Sequence, residues 1–346
     1  MVTSPLGTPS ARPLISATVI GRANRGRVLQ ALFDLGPTSR AELARLVGVN
    51  RSTITAIVQP LIDTGILIEG EPLPAGGSGG KPARPLGLSP AASPIGALQV
   101  MPGRVRAALV SITGDVLAQD ARPFPVQRGR TAEAARTISD CLDTVLRQAH
   151  RRPIGVGIAV GGMVDTDHGS IVEVNLAPSL SGLALGPRIA EHTGLPVHID
   201  HHPRAMLLGD RWFGPGRGIS TFAVIYTGEV LGGAFMVDGR VHRGSAGAGG
   251  ELGHTFVQLG GDLCRCGRRG CWETMATLGW LRRTCAAERI PGTDDTTTAQ
   301  LALLARTNAD AAKVLDRYAF NLAVGIANLQ QTLALNRYVL HGDAVG

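Results

Sequence analysis

Three of the chain's five cysteines, Cys264, Cys266 and Cys271, fall in one short loop, and His254 stands just upstream. Three thiolates and an imidazole are a donor set that suits a tetrahedral zinc ion. Gly267 and Gly270 allow the sharp turns that would bring the thiols round one ion. A disulfide suits the stretch poorly, because Cys264 and Cys266 are too close in sequence to pair easily and nothing marks the chain as secreted. Unrelated buried thiols are the bland alternative. The spacing predicts a structural Zn2+ site made by His254, Cys264, Cys266 and Cys271. Cys141 and Cys285 sit in helical patterns and read as ordinary half-buried residues.

Two carboxylates flank the loop. Glu251 lies in Gly250-Glu251-Leu252-Gly253-His254, and Glu273 follows the last cysteine by two residues. The pattern G-E-L-G-H followed by C-x-C-G-x-x-G-C-x-E resembles the signature of the ROK family (repressors, open reading frames, kinases). The resemblance extends over nearly the whole chain. It implies a duplicated α/β actin-like domain, of the sugar kinase/RNase H-like type, whose zinc loop shapes a sugar pocket. Carried over, the sugar contacts are Glu251, His254 and Glu273, joined by Asn175 of Asn175-Leu176. Carboxylate and amide side chains pair well with vicinal hydroxyls.

A phosphotransferase also needs a phosphate cradle and a base. ROK kinases open with Asp-x-Gly-x-Thr, where this chain reads Leu98-Gln99-Val100-Met101-Pro102. Their Gly-Thr-Gly-x-Gly-x-Gly loop is here Gly228-Glu229-Val230-Leu231-Gly232-Gly233-Ala234, in which Glu229 would repel phosphate and Val230 would block close backbone approach. Their Asn-Asp, which carries the catalytic base, is here His201-His202. With Gln99, Glu229, Val230 and His202 at those positions, the resemblance implies a protein that is not a kinase. Asp200-His201-His202 reads as a turn with solvated imidazoles; a pH-sensitive pocket wall and a second metal site with His198 are the sharper alternatives.

These side chains must be positioned by two kinds of element. Residues 1–90 read as a winged helix-turn-helix of α+β class. Val28, Leu29, Leu32 and Phe33 share a helical face. Ser39-Arg40-Ala41-Glu42 is a capping box, with Leu43, Leu46 and Val47 facing inward. Asn50 caps a third helix with an apolar stripe through Ile54, Ile57, Val58, Leu61 and Ile62, in which Pro60 should kink or loosen the last turn. Its other face carries Arg51, Ser52, Thr53, Thr55 and Gln59, the hydrogen-bonding side chains a recognition helix presents to a major groove. A hairpin from Ile66–Glu69 to Leu86–Leu88 reads as the wing, where Lys81 and Arg84 would reach a minor groove. A basic flexible linker and a protein-docking bundle are the alternatives. The segment holds nine Arg or Lys against five Asp or Glu before Ser89. It also resembles the winged helix of ROK repressors, which ROK kinases lack.

Residues 91–346 alternate strands and helices, with no visible internal repeat, so periodicity alone says α/β. The resemblance divides them into one lobe of about 91–200 plus 336–346 and a second of about 201–335. It also implies further elements after the last strand, so a chain stopping at Gly346 would have a shortened C-terminal part and an under-covered lobe. At 44% hydrophobic and 18% charged residues, the chain has ample core. A net charge of +7 suits an anionic partner. No apolar run could span a membrane and no signal peptide is visible, which suggests the cytoplasm. The reading is a transcriptional regulator, with a double-stranded DNA operator, a sugar or sugar phosphate effector, and a homodimer or homotetramer as its assembly. A sugar kinase with an added DNA-binding domain, or a repressor that no longer senses a ligand, are the competing functions.

Overall fold

The computed structural model describes residues 17–72, 83–244, 249–291 and 295–345. The chain divides into two compact units, Met1–Ala92 and Ser93–Gly346.

The first unit is built on α1 (Ala17–Leu35), α2 (Arg40–Val47) and α3 (Arg51–Asp63). Ser39 caps α2 by accepting from Glu42 N–H at 3.2 Å, and Asn50 caps α3 by accepting from Thr53 N–H at 2.8 Å. Ile54, Val58 and Leu61 close a small core with Val28, Leu32 and Leu43. Leu46 departs from its expected inward position and is 49% exposed. The buried arc of α2 is centred among Leu43, Ala44 and Val47, which leaves Leu46 on its far side. The helix α3 continues through Pro60 to Asp63, and Thr64 N–H closes it on Pro60 O at 3.1 Å. Short strands β1 (Thr38–Ser39), β2 (Leu67–Glu69) and β3 (Pro85–Leu88) form an antiparallel sheet in the order β1-β3-β2. Lys81 and most of the expected wing loop lie outside the described residues.

In the second unit, β4 (Ile95–Met101), β5 (Arg104–Val110) and β6 (Val116–Pro123) form an antiparallel meander. After α4 (Thr131–Leu146), β7 (Val156–Val160) joins β4 in parallel. The short hairpin β8 (Met163–Asp165) and β9 (Ser170–Glu173) follows, then α5 (Leu185–Thr193) and β10 (Val197–His201), which lies parallel to β7. Ile138, Leu142 and Val145 of α4 pack on Leu98, Val105 and Ile158 of this sheet.

The plan then repeats. Behind α6 (His202–Phe213), strands β11 (Phe222–Thr227), β12 (Leu231–Val237) and β13 (Arg240–Val241) form a second antiparallel meander. Helices α7 (Leu278–Ala287), α8 (Thr298–Ala305) and α9 (Ala309–Leu333) precede β14 (Tyr338–Gly342), which lies parallel to β11. One face of this sheet meets Leu322 and Leu329 of α9; the other meets Leu207 of α6. Placing 336–346 with the first lobe is thereby corrected, because β14 belongs to the second sheet. A parallel strand reached through a long helix has no local turn to announce its partner.

Candidate functional site

The segment 255–272 folds back on itself. Phe256 bridges Cys271, and Leu263 bridges Arg269. Gly270 makes the fold-back possible: its φ is 79°, and a Cβ there would overlap the carbonyl oxygen of Gln258. Cys264 N–H donates to Arg268 O at 2.7 Å, which tightens the knuckle between the first two cysteines and the third. His254 ends a short 3-10 turn, Leu252–His254, beside it.

Four side chains converge there. The ligating atoms of His254, Cys264, Cys266 and Cys271 all lie within 4.8 Å of one another. Cys264 Sγ is 3.5 Å from His254 Nδ1, and Cys266 Sγ is 3.6 Å from Cys271 Sγ. A disulfide would need about 2.0 Å. The edge of a tetrahedron with metal–sulfur bonds of about 2.3 Å is roughly 3.8 Å. The group is therefore one that could hold a metal ion. Burial pushes the Cys271 thiol up to about 12 and raises Cys264 as well, so a cation among the sulfurs would be needed to hold them as thiolates.

The loop is pinned to α9 by Trp272. Its indole is fully buried, and Nε1–H donates to Asn321 O at 2.9 Å. Gly325 gives the ring its space, since a Cβ at that position would overlap the indole.

Asn175, Glu251, His254 and Glu273 line one cleft of about 470 Å3, together with His202 and Tyr226. Asn175 is exposed and Glu251 half-buried. Burial raises the Glu251 carboxyl above the usual carboxylate range. Glu273 is held at both oxygens: Oε2 accepts from Leu231 N–H at 3.2 Å, and Oε1 lies 3.6 Å from Arg265 Nη2.

Arg204 is a structural residue that the sequence reading passed over. It is 1% exposed, its Nε donates to Asp200 Oδ1 at 2.5 Å, and its Nη1 donates to Gly249 O at 3.0 Å. Arg243 Nη2 donates to Asp200 Oδ2 at 3.0 Å. This network fixes the backbone just ahead of Glu251. No local signal pointed to it, because Asp200 lies in β10 and Arg204 in α6.

Solvated imidazoles at 201 and 202 are ruled out, since His201 is 8% and His202 is 4% exposed. Burial lowers both to about 4, Arg204 adding to the effect at His201 and His341 at His202. His202 Nε2 is 2.9 Å from Gln99 Nε2, and its ring meets Tyr226 edge-on at 5.2 Å. His198 is exposed and belongs to no metal-capable group among the described residues. Glu229 is paired with Arg282 at 2.7 Å. Leu231, which the sequence placed in a loop, already begins β12.

In the first unit, Arg51, Ser52, Thr55 and Gln59 are exposed on α3 and Thr53 is half-buried. Ser52 and Thr53 hydroxyls both donate to Asn50 Oδ1 at 2.8 Å. Thr55 donates to Arg51 O, and Gln59 Nε2 to Asp63 Oδ1. Arg84 is exposed, 4.0 Å from Glu69.

Residues 101–345 match the ROK family, and residues 22–68 match a winged helix-turn-helix DNA-binding family. The xylose repressor of Caldicellulosiruptor bescii is 26% identical over 268 residues, covering 75% of this chain and 65% of that protein. The chain thus spans under two thirds of that repressor's length. The glucokinase of Thermotoga maritima is 31% identical over 175 residues, 51% of this chain and 54% of the kinase. A solved ROK family transcriptional regulator, a homolog of the E. coli MLC protein, aligns with a TM-score of 0.77 at 26% identity, over 93% of this chain and 83% of that one. No helix among the described residues is long and apolar enough to cross a membrane.

Proposed function

The chain belongs to the ROK family, and from that premise we propose that it is a DNA-binding transcriptional regulator, a repressor, which senses a sugar or sugar phosphate without phosphorylating it. The observation that carries this reading is α3. Its buried face is Ile54, Val58 and Leu61, and the polar set Arg51, Ser52, Thr55 and Gln59 is left to solvent at the head of a helix-turn-helix. In this reading those residues and Thr53 enter a major groove, while Arg84 and Lys81 contact the minor groove or backbone.

Asn175, Glu251, His254 and Glu273 then hold the effector's hydroxyls. The bound metal is a structural zinc ion, for which the three sulfurs and one imidazole nitrogen fit in both chemistry and spacing. It would lock the loop that carries the pocket. Kinase activity is excluded from this reading because, at the positions where the resemblance expects a base and a phosphate loop, the chain has a buried imidazole bonded to Gln99 and a Glu229 held in salt bridge with Arg282. The protein works in the cytoplasm as a homodimer or homotetramer on a site of matching symmetry.

Quantitative operator binding tests the reading. Losing Thr53 or Gln59 should relax base preference, and losing Arg84 should lower affinity on all sequences and reduce the salt slope by about one. Equal, sequence-blind losses from all three would refute the assignment. Turnover of ATP with any of a panel of sugars, in a coupled assay, would instead support the kinase alternative.

A further inference from the structure

Arg106 faces Gln99 directly across the β4–β5 ladder, and Arg104 faces Met101 one step along. Residues i and i+2 of a strand point to one side, and directly opposed Cβ atoms lie about 5 Å apart. Gln99 is in turn bonded to His202. Gln99 carries no charge, and burial keeps His202 neutral down to about pH 4. A neutral pair and two cations therefore share one wall.

Gln99, Arg104 and Arg106 line, with Tyr226 and Arg283, a cavity of about 1180 Å3. It adjoins the cleft of Glu251 through Tyr226 and Glu273, which line both. The guanidinium groups of Arg104, Arg106 and Arg283 make no hydrogen bond or ion pair among the described residues. Cations without partners beside a polar cleft are suited to an anion, and guanidinium binds phosphate oxygens in a bidentate fork.

Building on the sensor reading above, we infer that the ligand is a phosphorylated monosaccharide, its ring in the cleft of Glu251 and its phosphomonoester on Arg106 and Arg104, beside the Gln99–His202 pair. A phosphomonoester carries a charge between −1 and −2 near pH 7. A carboxylate at position 99 or 202 would repel it; the amide and the neutral imidazole do not. A free sugar uses neither cation. A nucleoside triphosphate would bring its chain of phosphates towards Glu229, which lines the same cavity.

The test is titration calorimetry on the full chain, using aldohexoses and N-acetylhexosamines as free sugars and as their 6-phosphates, with inorganic phosphate as control. At least one 6-phosphate should bind roughly ten-fold or more tightly than its parent sugar. Arg106→Gln and Gln99→Glu should each remove most of that preference while leaving free-sugar binding in place. Arg106 is exposed, so its loss should not disturb folding. Free sugars binding as well as their phosphates would overturn the inference and leave the sensor reading standing. So would inorganic phosphate binding as tightly as the sugar phosphates, or both variants retaining the preference. If no sugar binds in either form, the sensor reading falls and takes this inference with it.

Discussion

Glu251 and Glu273 line the same cleft but are held differently, so their removal should read out differently. Glu273 satisfies Leu231 N–H at the start of β12. Glu273→Ala should cost about 1–3 kcal/mol of stability by orphaning that donor, as well as weakening ligand. No hydrogen bond holds the Glu251 carboxylate among the described residues, and burial already disfavours its charge. Glu251→Ala should melt within a degree or two of wild type and lose ligand binding; an equal fall in melting temperature for both variants would contradict this. The buried histidines make a pH prediction. Their folded-state values, about 4, lie below the ordinary 6.5. The stability of the neutral forms is therefore complete above pH 6.5 and is lost as pH falls towards 4. Between pH 7 and pH 5 each imidazole should contribute on the order of 2 kcal/mol of lost stability. Denaturant titrations of His201→Asn and His202→Gln should show a smaller fall over that interval than wild type.

At the scale of elements, the cysteine loop depends on α9 as much as on any metal its four ligands would hold. Trp272 fits against the helix only because residue 325 has no side chain. Gly325→Ala should therefore cost about 1–3 kcal/mol by overpacking, and its metal content should fall with the displaced loop. Removing the metal by chelation, or Cys264→Ser, should lower the melting temperature and leave less than one zinc per chain by elemental analysis; unchanged metal and melting would refute the site. What the sequence made legible were local signals: three cysteines and a histidine in a short span, the caps at Ser39 and Asn50, the apolar stripe of α3. Pairings between distant segments were not legible. Nothing near Tyr338 names β11 as its partner, and the two-residue β1 is recognised only by its bond partners in β3. Burial of polar groups was equally hidden. His201 and His202 read as a solvated turn because hydropathy does not register that Gln99, on a strand a hundred residues earlier, faces His202. Arg204 was missed for the same reason, since its partners include a backbone carbonyl at Gly249.

At the scale of the whole molecule, a unit ending at Ala92 that matches a winged helix-turn-helix family is followed by a ROK unit beginning at Ser93. A ligand can alter operator affinity only by its differential affinity for the two arrangements of the protein. Couplings of about 1–3 kcal/mol change affinity by roughly 5- to 150-fold, and linkage makes the effect reciprocal, so operator should change ligand affinity by the same factor. Glu251 is where the differential contact should be made, and α3 where it is felt. The most direct measurement is operator affinity titrated with a sugar or sugar phosphate that binds, in wild type and Glu251→Ala. The account predicts a shift of at least 5-fold in wild type and none in Glu251→Ala, with equal operator affinity for the two proteins when no ligand is present. If no ligand shifts wild type and Glu251→Ala also loses DNA binding, the cleft serves folding alone and the regulator does not sense through it.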